Sequence, residues 1–253
     1  MSPREEARER PLAVAAGEAA GAAVRRGASR IGRTAQPIVR ALKVGRHRAE
    51  SSLAIRSRTR YCEEVLRDER LESRQIDSSE FHECEFASSV LTGSEFRACR
   101  FVECTFWQCD LSLVGLPHTT FSACRFEDSK LVGINWTEAS WPETRLWVPV
   151  GFARCVVSHS TFMGLNLAGV RFSDCVAQDV DFRDSDLSRA DFGGTDLSKS
   201  LFVNTDLTEA DLSSARNYRI DPRENTIVNA KFSLPEAISL LDGLGVELTG
   251  WEP

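Results

Sequence analysis

The sequence is poor in the residues that enzymes and membrane proteins rely on. Its 253 residues include four histidines, two tyrosines and two methionines. His47, His82, His118 and His159 are scattered, and no spacing sets an orienting partner beside any of them. There is no phosphate loop, nucleophile elbow or metal box. None of the eight cysteines falls in a Cys-x-x-Cys or Cys/His arrangement, which excludes the common zinc motifs. Carboxylates are plentiful but evenly spaced, which does not make a catalytic pair. No enzyme activity, cofactor or metal is expected. Long apolar runs are missing too. The Ala-rich stretch Pro11–Val24 carries Glu18 and is too short to span a bilayer, and its flanks do not match a cleavable signal. Unpaired cysteines then point to a reducing cytoplasm.

Charge is unevenly spread. Residues 1–60 hold 14 basic and 5 acidic side chains, whereas residues 61–253 hold 17 and 32. The net charge of −6 therefore combines a basic arm with an acidic body. The arm is rich in Ala, Arg, Gly and Ser without a convincing apolar face, so residues 1–60 read as disordered. Its arginines could touch phosphates or a membrane surface, although a solvated tail is the simpler reading.

What is present is a period of five. From Ser185 the chain reads SDLSR, ADFGG, TDLSK, SLFVN, TDLTE, ADLSS. Five fits neither a helix nor a strand, and fixed self-similarity signals a solenoid. Taking the large apolar residue as the centre, the frame runs from Ile76 to Leu146, slips by one residue near 147–151, and resumes from Phe152 to Leu212. All 28 centres are apolar. Two places before each stands Ala, Cys, Ser, Thr or Val in 25 cases, the exceptions being Arg74, Ile134 and Leu165.

These blocks resemble the pentapeptide-repeat family, whose pattern is Ala-(Asp/Asn)-Leu-x-x. The resemblance implies an all-β fold, a right-handed quadrilateral β-helix with one block per side and twenty residues per coil. About seven coils at a strand-like spacing would rise about 34 Å. Residues 61–75 read as a lead-in or cap, 76–215 as the β-helix, and 216–253 as a C-terminal cap. Ser233 and Glu236 have capping-box spacing, which predicts a helix over about 234–242. Seven cysteines occupy the small-residue slot, with Cys84, Cys104 and Cys124 spaced by twenty. They read as small core fillers, the alternative being a metal or redox ladder.

The candidate surface residues follow from the same frame. Asp181, Asp186, Asp191, Asp196, Asp206 and Asp211 each precede a centre and point outward. Pairs twenty apart should stack, and their repulsion is tolerable if each accepts backbone N–H bonds at the corners. Trp107 and Trp147 follow centres and are candidate anchors for a protein partner. Leu234, Ile238, Leu241 and Leu244 are candidates for the cap and for a homodimer contact. The resemblance to quinolone-resistance members implies a DNA-mimic partner of DNA gyrase or topoisomerase IV, and a two-fold dimer through the C-terminal end. The rod itself would not bind nucleic acid. The alternative is a scaffold or spacer for some other protein.

Overall fold

The computed structural model describes residues 55–141, 150–242, 244–246 and 249. The chain divides between Ala49 and Glu50, and all described residues lie in the second unit. Most of the arm expected over 1–60 is outside the described residues. Its last residues are not: Ile55 is fully buried, and the first strand begins at Arg60.

Twelve three-residue strands follow: β1 (Arg60–Cys62), β2 (Val65–Arg67), β3 (Gln75–Asp77), β4 (Glu80–His82), β5 (Glu85–Ala87), β6 (Glu95–Arg97), β7 (Arg100–Val102), β8 (Thr105–Trp107), β9 (Thr120–Ser122), β10 (Arg125–Glu127), β11 (Gly151–Ala153) and β12 (Arg171–Ser173). All pair in parallel. One sheet runs β1-β4-β7-β9, a second β2-β5-β8-β10-β11-β12, and a third is the pair β3-β6. Single bridges from Arg70 through Val90 and Asp110 to Lys130 make the fourth side. Tyr61 faces Phe81 and Leu66 faces Phe86, a register of twenty. The stretch expected as a lead-in is therefore the first coil itself.

The core is built from stacked columns. Phe81, Phe101 and Phe121 lie ring over ring, with centroids 4.7 and 5.2 Å apart. The adjacent column, Phe86–Phe106–Phe126, stacks likewise and meets the first edge-on. Each coil alone would expose its centres, and stacking removes them from water. The small slot is more than filler. Ser129 Oγ donates to the Phe106 carbonyl one coil back and accepts the N–H of Cys109. Ser200 does the same with Ala177 and Val180. Cysteines in this slot aim Sγ at the same carbonyls, as Cys99 does at Ile76 and Cys109 at Phe86.

The corners have a signature that the side chains do not announce. Positive φ recurs at every fifth residue from Arg58 to Gly133 and again from Arg154 to Glu209, and from Glu63 on each of these stands two residues after a centre. Most of these residues are not glycine. A left-handed residue costs roughly 1–2 kcal/mol. It persists here because its N–H bonds the next coil, as Glu63 N–H does the His82 carbonyl.

Two features depart from expectation. The regular strands stop early: the six-stranded sheet spans five turns. Beyond Ser173 the same ladder continues only as single bridges, Arg171 to Asp191 to Asp211 to Lys231. In that half an Asp stands before the centre and takes the amide two residues on, curling the chain into a turn too soon for a three-residue strand. Second, Arg125 pairs with Gly151 and Phe126 with Phe152, a register of 26. The expected one-residue slip is thus a six-residue insertion. Residues 142–149, including Leu146, Trp147 and Pro149, are outside the described ones.

At the C-terminal end a 3-10 turn (Glu236–Ile238) leads into one helical turn, α1 (Ser239–Asp242). The expected helix is present but shorter, and the capping box does not form. The residue before the turn is Pro235, and Ser233 Oγ instead donates to the Ser213 carbonyl.

Candidate partner-binding surface

The six expected aspartates all lie at outward positions, half-buried, one before each centre. Each is held by the corner it precedes. Asp186 accepts the Ser188 N–H at 2.9 Å and Asp206 that of Thr208 at 2.8 Å. Asp191, Asp196 and Asp211 accept from Gly193, Ser198 and Ser213 in the same way, and Asp181 from Arg183. One carboxylate oxygen is thus structural. Asp186 stacks on Asp206, and Asp191 on Asp211. Asp181 and Asp196 sit on the other two sides, bridged to Leu201 and Arg216. The six therefore do not share one face.

Their charges are not equivalent. Asp181 is paired with Arg183 at 2.7 Å, and that hydrogen bond holds its carboxyl below the usual range. Asp211 is lowered by Ser213 and, beyond opposing burial, by Lys231 3.1 Å away. Burial would raise Asp196, but donors on Ser198, Asn217 and Gln178 together outweigh it and push its carboxyl well below normal. Asp186, Asp191 and Asp206 make no ion pair among the described residues; they lie on two adjacent sides, and the column of Asp191 and Asp211 is flanked by Arg171 and Lys231.

Trp107 is not a free anchor. It is half-buried, and Ala87, which occupies the same outward position one rung back, is fully buried. The Asp128 carboxylate is gripped by Arg154 at 2.6 and 2.8 Å and is held below its ordinary range by that pairing, with a smaller contribution from the Trp107 indole. Trp147 lies outside the described residues. At the C-terminal end Leu234 is 77 % exposed and Leu244 47 %, while Ile238 and Leu241 are half-buried. Apolar surface is left open there. The seven slot cysteines are buried and only Cys62 is exposed. Burial pushes the Cys99 and Cys109 thiols up to about 11, and the Cys124 thiol beside Cys104, with burial, pushes it to about 12. Such thiols stay protonated. Among the described residues no group of His, Cys, Asp or Glu could hold a metal ion, and no helix is long and apolar enough to cross a membrane.

The profile described as pentapeptide repeat region matches residues 79–147 and 148–212, more than half of the chain. The chain belongs to the pentapeptide-repeat family. No curated protein matches its sequence. Full-length QnrB1, described as a plasmid-mediated fluoroquinolone resistance protein, is similar with a TM-score of 0.50 and 18% identity, over 74% of this chain and 100% of that one. HetL is described as a pentapeptide repeat protein involved in heterocyst differentiation regulation, from the cyanobacterium Nostoc sp. strain PCC 7120. It gives a TM-score of 0.54 at 17% identity, over 70% of this chain and 87% of that one. At these identities the likeness is one of fold.

Proposed function

We propose that this chain is a non-enzymatic, cytoplasmic interaction protein that binds DNA gyrase or topoisomerase IV as a DNA mimic and protects it from topoisomerase poisons. The observation that supports this is the pair of adjacent carboxylate columns, Asp186–Asp206 and Asp191–Asp211, fixed by corner amides. With Asp211 paired to Lys231, the three unpaired charges over two rungs of about 4.8 Å leave about one per 3 Å of axis, sparser than the one per 1.7 Å in duplex DNA. The fold shared with QnrB1 is compatible with it. The exposed Leu234 and Leu244 support a homodimer through the C-terminal end. Leu234→Glu with Leu244→Glu then yields a monomer by sedimentation.

The test is a gyrase supercoiling assay with a quinolone. Protection is expected at micromolar protein and should vanish when Asp186, Asp191 and Asp206 are changed to Lys together. Neither protection nor inhibition by the unaltered protein would sink the reading. A scaffold for another partner is the second reading. It is favoured by the spread of the six aspartates over four sides and by exposed arginines such as Arg125 on the earlier coils.

A further inference from the structure

Two sides of the solenoid repeat one arrangement with a single difference. At the position before the centre, one side carries Arg60, Glu80 and Arg100 on successive rungs. Glu80 stands between the arginines, and Arg60 Nε lies 3.3 Å from its carboxylate. The next side carries Arg125, Gly151 and Arg171 on successive rungs. There the middle rung has no side chain, and a Cβ added to Gly151 would meet nothing within 4 Å. Both arginines are exposed, and neither makes an ion pair among the described residues. Arg97, Arg154, Arg183 and Arg223 each hold a carboxylate at close range, so this pair is unlike them.

The spacing suits convergence. Two rungs put Arg125 and Arg171 about 10 Å apart, so each guanidinium has about 5 Å to cover to meet the other over Gly151. Guanidinium geometry then selects the occupant. Each fork takes two oxygens of an oxyanion. A carboxylate offers one edge and satisfies one fork. A phosphate monoester has three terminal oxygens and can face two forks from opposite sides. A long polyanion is disfavoured, because Glu127 and Asp191 stand beside the pair and repel charge that extends past it. We infer that Arg125 and Arg171 form a binding site for a phosphate monoester seated over Gly151. The site does not rest on the topoisomerase reading, and Asp191, the rung after Arg171, marks where it ends.

The test uses the full chain, labelled with nitrogen-15 and titrated at low salt with inorganic phosphate and with a phosphoserine peptide. The Gly151 amide resonance should shift and saturate. Arg125→Gln and Arg171→Gln should each weaken binding at least tenfold, while Gly151→Ala retains it. Gly151→Glu, which recreates the Arg60–Glu80–Arg100 arrangement, should abolish binding and raise the Tm. Saturation by inorganic phosphate identifies a free phosphate ligand, and saturation by the peptide alone identifies phosphate carried on a protein. Either supports the site. A Gly151 resonance unmoved by both probes, or unchanged affinity in both arginine variants, overturns it.

Discussion

The hydroxyl of Thr119 donates to the carbonyl of Phe96, 23 residues earlier, at 2.6 Å. The same oxygen accepts the Cys99 N–H at 3.1 Å, and Thr119 is fully buried. Thr119→Val keeps the shape and removes both bonds, leaving a buried acceptor and donor short of a partner. A loss of about 2–3 kcal/mol is expected. Thr119→Ser should cost much less. Urea unfolding measures both, and an unchanged midpoint for the valine variant would reduce the slot to a matter of size.

Trp136 poses the opposite case. It is buried and stacks on Phe162 at 5.5 Å, yet its indole N–H has no partner among the described residues. Trp136→Phe removes an unsatisfied donor worth about 1–3 kcal/mol and leaves a cavity of opposing cost. The two nearly cancel, so a change under about 1 kcal/mol is expected, against about 3–5 for Phe126→Ala. Thermal unfolding of the two variants distinguishes them.

The lowered carboxyls set the acid limit. Asp128, Asp181, Asp196 and Asp211 all lie below their ordinary values, held by Arg154, Arg183, the donors around Asp196, and Ser213 with Lys231. The folded state therefore binds protons less readily than the unfolded chain. The stability they contribute is complete above the unfolded value of about 3.9 and is lost as pH falls through the folded values. The Tm should be level from about pH 7 to 5 and fall steeply below about 4. Asp196→Asn should flatten that fall. A constant Tm down to about pH 2.5 would contradict the assignment.

Leu113 sits at a corner with φ +59 and is 65 % exposed. A bulky residue is poorly suited to this conformation and asparagine is better. Leu113→Asn should stabilise by about 0.5–1 kcal/mol. A destabilised variant would mean that the contact of Leu113 with Gly133 outweighs the backbone term.

The columns were legible because core-facing positions admit only apolar residues, and Phe81 over Phe101 over Phe121 follows from counting. The corners were not. Leu113, His118, Arg154 and Lys199 all adopt the left-handed turn, so the backbone is fixed by the inter-coil amide bond and not by residue type. The insertion was misread for an arithmetical reason. A register of 26 leaves a remainder of one when counted in fives, so six extra residues look like one. The aspartates were placed correctly before their centres. The neutralisation of Asp181 by Arg183 depends on side-chain reach, which the period does not encode. Trp107 shows the same limit, since its half-burial beside the buried Ala87 is not encoded in the period.

Among the described residues each coil bonds only to the coils directly before and after it, and Gly151 keeps that pairing with Arg125. Nothing in such a ladder measures its own total height. Deleting or duplicating one whole circuit of twenty residues should leave the remaining junctions intact, so a lineage built this way can change its reach in fixed increments without inventing a new interior.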